Sequence, residues 1–266
     1  MNAEQERLLK KQAAVSDFLA GERRAAIAFS AGVDSTLLLD LARETLGENA
    51  LAVTAVSVLT PEREQREAAA FCRERGIRLL RVPFDPFAVP GFRENPPDRC
   101  YLCKKALFLS LRTAAEKEGF GTLLDGTNAD DLRSDRPGLR AIEELGVKSP
   151  LAEAGMTKTE IRALSALRGL PTAGKPALAC LATRVPAGET VTTEKLMRID
   201  RAEALLFAMG FSQVRVRCHG DLARIELKPE ELPRLLAPET ARKAAEAVRA
   251  AGFRYVAADL EGYRAK

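Results

Sequence analysis

Between residues 24 and 125 short apolar runs alternate with amphipathic stretches, and this alternation restricts the fold more than any other feature of the chain. Strands are expected at residues 24–29, 51–57, 77–82 and 122–125. Helices are expected between them: one running to about Leu46, one opened by Thr60-Pro61 and closed by Gly76, and one starting near Cys100. An amphipathic helix carrying Leu8, Leu9, Val15, Phe18 and Leu19 precedes the first strand and should end at Gly21. Strands separated by helices of this length predict an α/β domain, a parallel sheet with helices on both faces. Ligands of such sheets bind at the carboxyl ends of the strands.

Further along, TKTE at 157–160 is a capping box for a helix to about Arg168. A loop with three prolines and two glycines then spans 170–188, and a domain boundary is placed there: 1–185 for the α/β domain, 190–266 for a smaller α+β domain. The second domain should contain a helix at 192–209, two short strands around His219-Gly-Asp221, a helix at 229–251 and a strand at 253–259.

A chain of 266 residues with a formal net charge of +4 carries too small a basic surplus to indicate nucleic-acid binding. No apolar run is long enough to span a bilayer, and the polar, acidic N-terminus is unlike a signal peptide. A cytoplasmic protein is expected, in which five cysteines serve as core thiols, metal ligands or catalytic thiols rather than as disulfides.

The first strand runs into AFSAGVDST at 28–36, a strand-to-helix turn with Ser30, Gly32, Asp34, Ser35 and Thr36. Free backbone amides, hydroxyls and the positive end of a helix dipole suit an anion, most often phosphate. The plainer alternative is that Ser30 and Asp34 only cap the helix. Kinase-type loops carry a lysine that reaches the β- and γ-phosphates, and this turn has none. Amides and hydroxyls with one Asp instead suit pyrophosphate, with the Asp on Mg²⁺ and reaction at the α-phosphorus.

Cys100 and Cys103 form a C-x-x-C pair at the expected start of a helix, beside Arg99, Lys104 and Lys105, where cationic neighbours favour thiolate. The pair alone fits a redox couple, half a zinc site, part of an iron–sulfur site or no function. Cys180, in the Pro/Gly-rich loop, is a possible third ligand or a small residue packed under the loop. Three cysteines leave one iron of a [4Fe–4S] cluster open, and such a site can carry exogenous sulfide. Cys72 and Cys218 are expected in the core, and His219 at a solvated turn.

If Gly220 and Asp221 form a two-residue hairpin turn, residue 217 faces 224 and 215 faces 226. Arg215, Arg217, Arg224 and Glu226 then share one face of the ribbon. That face is either an ordinary solvated one or an anion site for phosphate or carboxylate, with Arg184 near Cys180 adding to it.

The turn at 30–36 resembles the PP-loop of ATP pyrophosphatases, S-G-G-x-D-S followed by Ser or Thr, with Ala31 standing where the first Gly is usual. Together with LDGTN at 124–128, DRPGL at 135–139, ACLATRVPAG at 179–188, the ribbon sequences VRVR and LARIE, and GFRYV at 252–256, it makes the chain similar to the LarE family. These are ATP-dependent sulfur transferases that build the nickel-pincer cofactor of lactate racemase. The resemblance implies a PP-loop, Rossmann-like fold with a smaller C-terminal domain, homo-oligomers that are often hexamers, and companion cofactor-building proteins as partners. It implies adenylation of a carboxylate of pyridinium-3,5-biscarboxylate mononucleotide, then replacement of AMP by sulfur. Carried over residue by residue, it adds Gly126 to the ATP site and assigns Cys180 as sulfur donor or cluster ligand with Cys100 and Cys103. Arg215, Arg217 and Glu226 become substrate-phosphate residues, and Arg184 and Glu203 join the same pocket as catalytic residues with Cys180. The other readings are a tRNA thiolase of the PP-loop class and a nucleotide- or metal-binding protein without turnover.

Overall fold

The computed structural model describes residues 3–133, 137–176 and 179–264. They form two compact units: residues 1–57, 64–85 and 98–178 make the larger, and 58–63, 86–97 and 179–266 the smaller. Asp135 and Arg136 of the DRPGL segment lie outside the described residues.

In the larger unit, α1 (Ala3–Glu22) leads into β1 (Ala25–Ala28), then α2 (Val33–Leu46) and β2 (Ala50–Val56). The helix α3 (Glu62–Glu74), β3 (Arg78–Pro83), α4 (Arg99–Lys117) and β4 (Leu123–Leu124) follow, and then α5 (Pro137–Glu144), α6 (Pro150–Glu153) and α7 (Lys158–Leu167). α1 runs one residue beyond Gly21, and the left-handed residue at its end is Arg23, with φ of 59°. The capping box at Thr157 and Glu160 opens α7 as its sequence requires.

The four strands form one parallel sheet in the order β3-β2-β1-β4. Alternate residues of β1 bury on opposite faces. Ile27 packs with Leu37, Leu41, Leu151 and Ile161, while Ala26 packs with Phe108, Leu111 and Ile142. Helices therefore cover both faces, which is why AAIA can be wholly apolar. The chain moves outward from β1 through β2 to β3 and returns to β1's other side at β4. That reversal makes the carboxyl ends of β1 and β4 the topological switch point, where open α/β sheets bind ligands.

The smaller unit contains α8 (Thr193–Ala208), β5 (Val214–His219), β6 (Leu222–Leu227), α9 (Leu232–Leu236), α10 (Pro238–Ala250) and β7 (Tyr255–Ala258). β5 and β6 are an antiparallel hairpin, and β7 joins β6 in parallel. The helix expected over 229–251 is broken. Pro238 has no amide hydrogen to continue it, and Ala237 before it is extended, with φ −60° and ψ 133°. The segments 58–63 and 86–97 are stitched in by Leu181 N–H to Leu59 O at 3.0 Å, Gly188 N–H to Asn95 O at 3.0 Å and Val191 N–H to Arg93 O at 2.8 Å. Among the described residues no helix is long and apolar enough to cross a membrane.

Candidate functional site

The turn after β1 closes on itself, and Ser30 Oγ accepts from Gly32 N–H at 3.4 Å. Gly32 is the N-cap of α2 and no side chain caps it. The hydroxyls bond within the turn: Ser30 Oγ lies 3.1 Å from Ser35 Oγ, Ser30 N–H donates to Ser35 Oγ at 3.3 Å, and Ser35 Oγ donates to Gly32 O at 3.3 Å. Thr36 is fully buried at the base of the turn, and its amide donates to Gly32 O at 3.0 Å. Ala31 takes a φ of +54°, the left-handed conformation in which an L side chain is disfavoured and Gly is at ease. Ala31 thus holds a conformation suited to glycine at the position where the PP-loop pattern usually has glycine.

The segment after β4 clamps this turn from the neighbouring strand. A Cβ on Gly126 would stand 2.8 Å from Ser35 N and 3.1 Å from Asp34 C, so only glycine permits the approach. Asp125, buried, accepts from Thr127 Oγ1 at 2.6 Å and from Ser149 Oγ at 2.6 Å. Asn128 accepts from the amides of Asp130 and Asp131 at 2.9 and 3.1 Å, and its Nδ2 donates to Asp34 Oδ1 at 3.2 Å.

Two lysines from distant segments reach the turn, and neither stands out in the sequence. Lys158, at the first position of α7, pairs with Asp34 Oδ2, while its amide donates to Asp130 Oδ2 at 2.7 Å. Lys175 donates to Ala31 O at 2.9 Å and pairs with Glu67 at 2.6 Å. The turn lacks a lysine of its own, yet cationic charge is delivered to its edge from 124 and 144 residues further along the chain. The Asp34 carboxylate remains partly exposed.

None of the five cysteines is in a disulfide. Cys72 and Cys218 are buried, and burial pushes the Cys72 thiol up to about 12. Cys100 is exposed and Cys103 half-buried in the first turn of α4, with the largely buried Arg99 guanidinium 3.6 Å from Cys100 Sγ. Tyr101 between them is fixed to α5, its hydroxyl donating to Glu144 at 2.7 Å and its ring under the Arg140 guanidinium at 3.9 Å. Among the described residues no three His, Cys, Asp or Glu side chains form a group able to hold a metal. Cys100 and Cys103 belong to the larger unit and Cys180 to the smaller.

Cys180 is exposed, and its backbone is held by charge from beneath. Arg184, 1% exposed, donates to Ala179 O at 2.5 Å and Cys180 O at 3.0 Å. Its other edge makes a two-pronged pair with Glu203 at 2.9 and 3.1 Å, and Glu203 also accepts from Val216 N–H at 3.0 Å. α8 and β5 thereby carry the loop that presents Cys180.

The hairpin register is that of a two-residue turn, with Arg217 opposite Arg224 and Arg215 opposite Glu226. The arginine face is not an ordinary solvated one: Arg215 is 3% and Glu226 6% exposed. Burial first, and the neighbouring Arg184 charge next, pull the Arg215 guanidinium below its usual value. Arg217 grips Glu226 at 3.0 and 2.9 Å and donates to Thr183 O at 2.9 Å; Arg224 bridges Glu226 and Asp259. Glu226 is an acceptor that orients the arginines and cannot itself ligate phosphate.

No protein-family model matches the chain. An uncharacterized protein of Synechocystis is 44% identical over 91% of this chain and 90% of its own length. The pyridinium-3,5-bisthiocarboxylic acid mononucleotide synthase of Lactiplantibacillus plantarum is 36% identical over 97% of this chain and 93% of its own. An uncharacterized protein of Methanocaldococcus jannaschii is 32% identical over 90% of both. Fold, turn and these likenesses define a sulfur-transferring synthase built on a PP-loop α/β domain. Within that class the chain belongs to the LarE family.

Proposed function

We propose that the protein adenylates a carboxylate of pyridinium-3,5-biscarboxylate mononucleotide and replaces the AMP with sulfur, giving the thiocarboxylate of the nickel-pincer precursor. The observation that carries this reading is the turn at 30–36, free of lysine, clamped by Gly126 and edged by Asp34, in a chain similar over nearly its whole length to the synthase of that product. The hydroxyls of Ser30 and Ser35 and the amide of Gly32 serve the pyrophosphate of ATP, with Thr36 buried beneath them as the base of the turn. Mg²⁺ would be held by Asp34, in place of the Lys158 ammonium with which that carboxylate pairs. Lys158, released, lies beside the departing phosphates.

In the first step a substrate carboxylate oxygen attacks the α-phosphorus, the bond to the β-phosphate oxygen breaks, and pyrophosphate leaves. In the second a sulfur nucleophile attacks the activated carbonyl carbon, and AMP leaves with the bridging oxygen. Cys180, exposed and anchored through Arg184 and Glu203, handles the sulfur. If its own sulfur is spent, the cysteine Cβ–S bond breaks with loss of the Cα proton, leaving dehydroalanine. With Cys100 and Cys103 it would supply three thiolates of a [4Fe–4S] cluster, whose open iron would carry sulfide from an external donor. Arg215 and Arg217 serve the substrate phosphate, with Glu226 orienting them. The reading includes the remaining family features: a cytoplasmic homo-oligomer, often a hexamer, working with companion cofactor-building proteins.

Incubation with ATP, Mg²⁺, the biscarboxylate mononucleotide and sulfide under reducing conditions is expected to release AMP and pyrophosphate only when the substrate is present, and Asp34→Asn to abolish the release. Absence of AMP from the unaltered protein under these conditions would overturn the reading.

A further inference from the structure

The left-handed Ala31 is costly by itself, and one side chain is aimed at its carbonyl. Lys175 is only 13% exposed, and its ammonium donates to two acceptors, Ala31 O and the Glu67 carboxylate. The backbone from which it reaches is fixed in turn: Arg162, on α7, donates to Ala173 O at 2.6 Å and Lys175 O at 2.7 Å. A helix, a loop and a carboxylate are thus arranged to bring one ammonium to the peptide that begins the turn.

We propose that Lys175 is a positioning residue for ATP, the tether that keeps the alanine-bearing turn in the left-handed geometry glycine would adopt unaided. The proposal rests on the reading of the turn as the ATP site. A bond to the carbonyl of residue 31 stabilises the peptide orientation that the left-handed φ sets, and so points the amides that follow toward the mouth of the turn. Because Lys175 spends its charge on Glu67 and Ala31, it acts through the turn and does not ligate phosphate.

The test is a cycle of Lys175→Met, Ala31→Gly and the double variant in the full chain, with Lys175→Arg as the conservative replacement. Read-outs are the ATP dissociation constant, the KM and kcat of AMP formation, and the melting temperature. Lys175→Met is expected to weaken ATP binding and raise its KM by about tenfold, the order of one charge-assisted hydrogen bond, with a smaller change in kcat. Lys175→Arg should recover most of that loss. In the Ala31→Gly background, where the turn needs no tether, removing the lysine should cost about threefold or less. If the unaltered protein binds ATP and Lys175→Met binds it equally well, the tether is refuted while the ATP site stands. An undiminished loss in the Ala31→Gly background would make Lys175 a direct ligand and refute the positioning role. If the unaltered protein binds no ATP, both readings fall.

Discussion

Gly126→Ala tests the clamp between the two strand ends. The added Cβ would lie 2.8 Å from Ser35 N and 3.1 Å from Asp34 C and Ser35 Cα, all backbone atoms of the first turn of α2. Ordinary contact begins near 3.4 Å, so the two segments must part by about 0.6 Å, an overpacking that costs about 1–3 kcal/mol. A stiffer unfolded chain returns about 0.4–1 kcal/mol. The net loss of about 1–2 kcal/mol lowers the melting temperature by roughly 2–8 °C in a chain of this size. Function should suffer more, because Asp34 and Ser35 are the residues displaced, and misplacement of this order costs about tenfold or more in turnover. Melting followed by circular dichroism and AMP followed by chromatography measure the two effects. Gly121→Ala, where a Cβ meets nothing within 4 Å, is the control. A Gly126→Ala protein that melts and turns over like that control would refute the clamp.

Removing Arg184 leaves the buried Glu203 carboxylate without its main partner; Arg184→Met should cost about 3–5 kcal/mol, lowering the melting temperature by about 10 °C, and an unchanged melt would show that the Cys180 loop does not depend on the pair. Thiol labelling of the folded protein should modify Cys100 and Cys180 first and Cys103 more slowly, while Cys72 and Cys218 react only on unfolding; rapid native labelling of Cys72 would contradict its burial. Because the folded Cys72 thiol titrates near 12 rather than 9.0, its contribution to stability is intact at neutral pH and is lost as pH rises from 9.0 toward 12; Cys72→Ala should flatten that alkaline decline in a pH series of melts. Protein purified without oxygen should hold about four irons with acid-labile sulfide per chain, lost in Cys180→Ala; iron-free protein after reconstitution would leave Cys180 as a single-use donor.

The fold was legible where local pattern decides it. Apolar runs bounded by glycine and proline marked the strands, Thr157 and Glu160 marked the start of α7, and the two-residue turn set the register of the arginine ribbon. The order of the strands was not legible, since β4 joins β1 through long-range packing that no local pattern encodes. Pro238 sits inside a continuous helical pattern at 229–251, yet its missing amide hydrogen divides α9 from α10. At the candidate site, the contiguous residues Ser30 to Thr36 could be read as one unit because the turn that joins them is local. Asn128, Lys158 and Lys175 could not, because they meet the turn only after the sheet has placed β4 beside β1 and α7 behind it. The left-handed φ of Ala31 was signalled by the departure from glycine, but its tether was not.

The central claim is that a substrate carboxylate is activated on the α-phosphorus and then exchanged for sulfur. Mass spectrometry of the reaction run with heavy-oxygen-labelled carboxylate tests it most directly. The account predicts AMP carrying one heavy oxygen and a product in which sulfur has replaced that oxygen. Unlabelled AMP, or ATP cleaved to ADP with no sulfur in the pyridinium product, would contradict it.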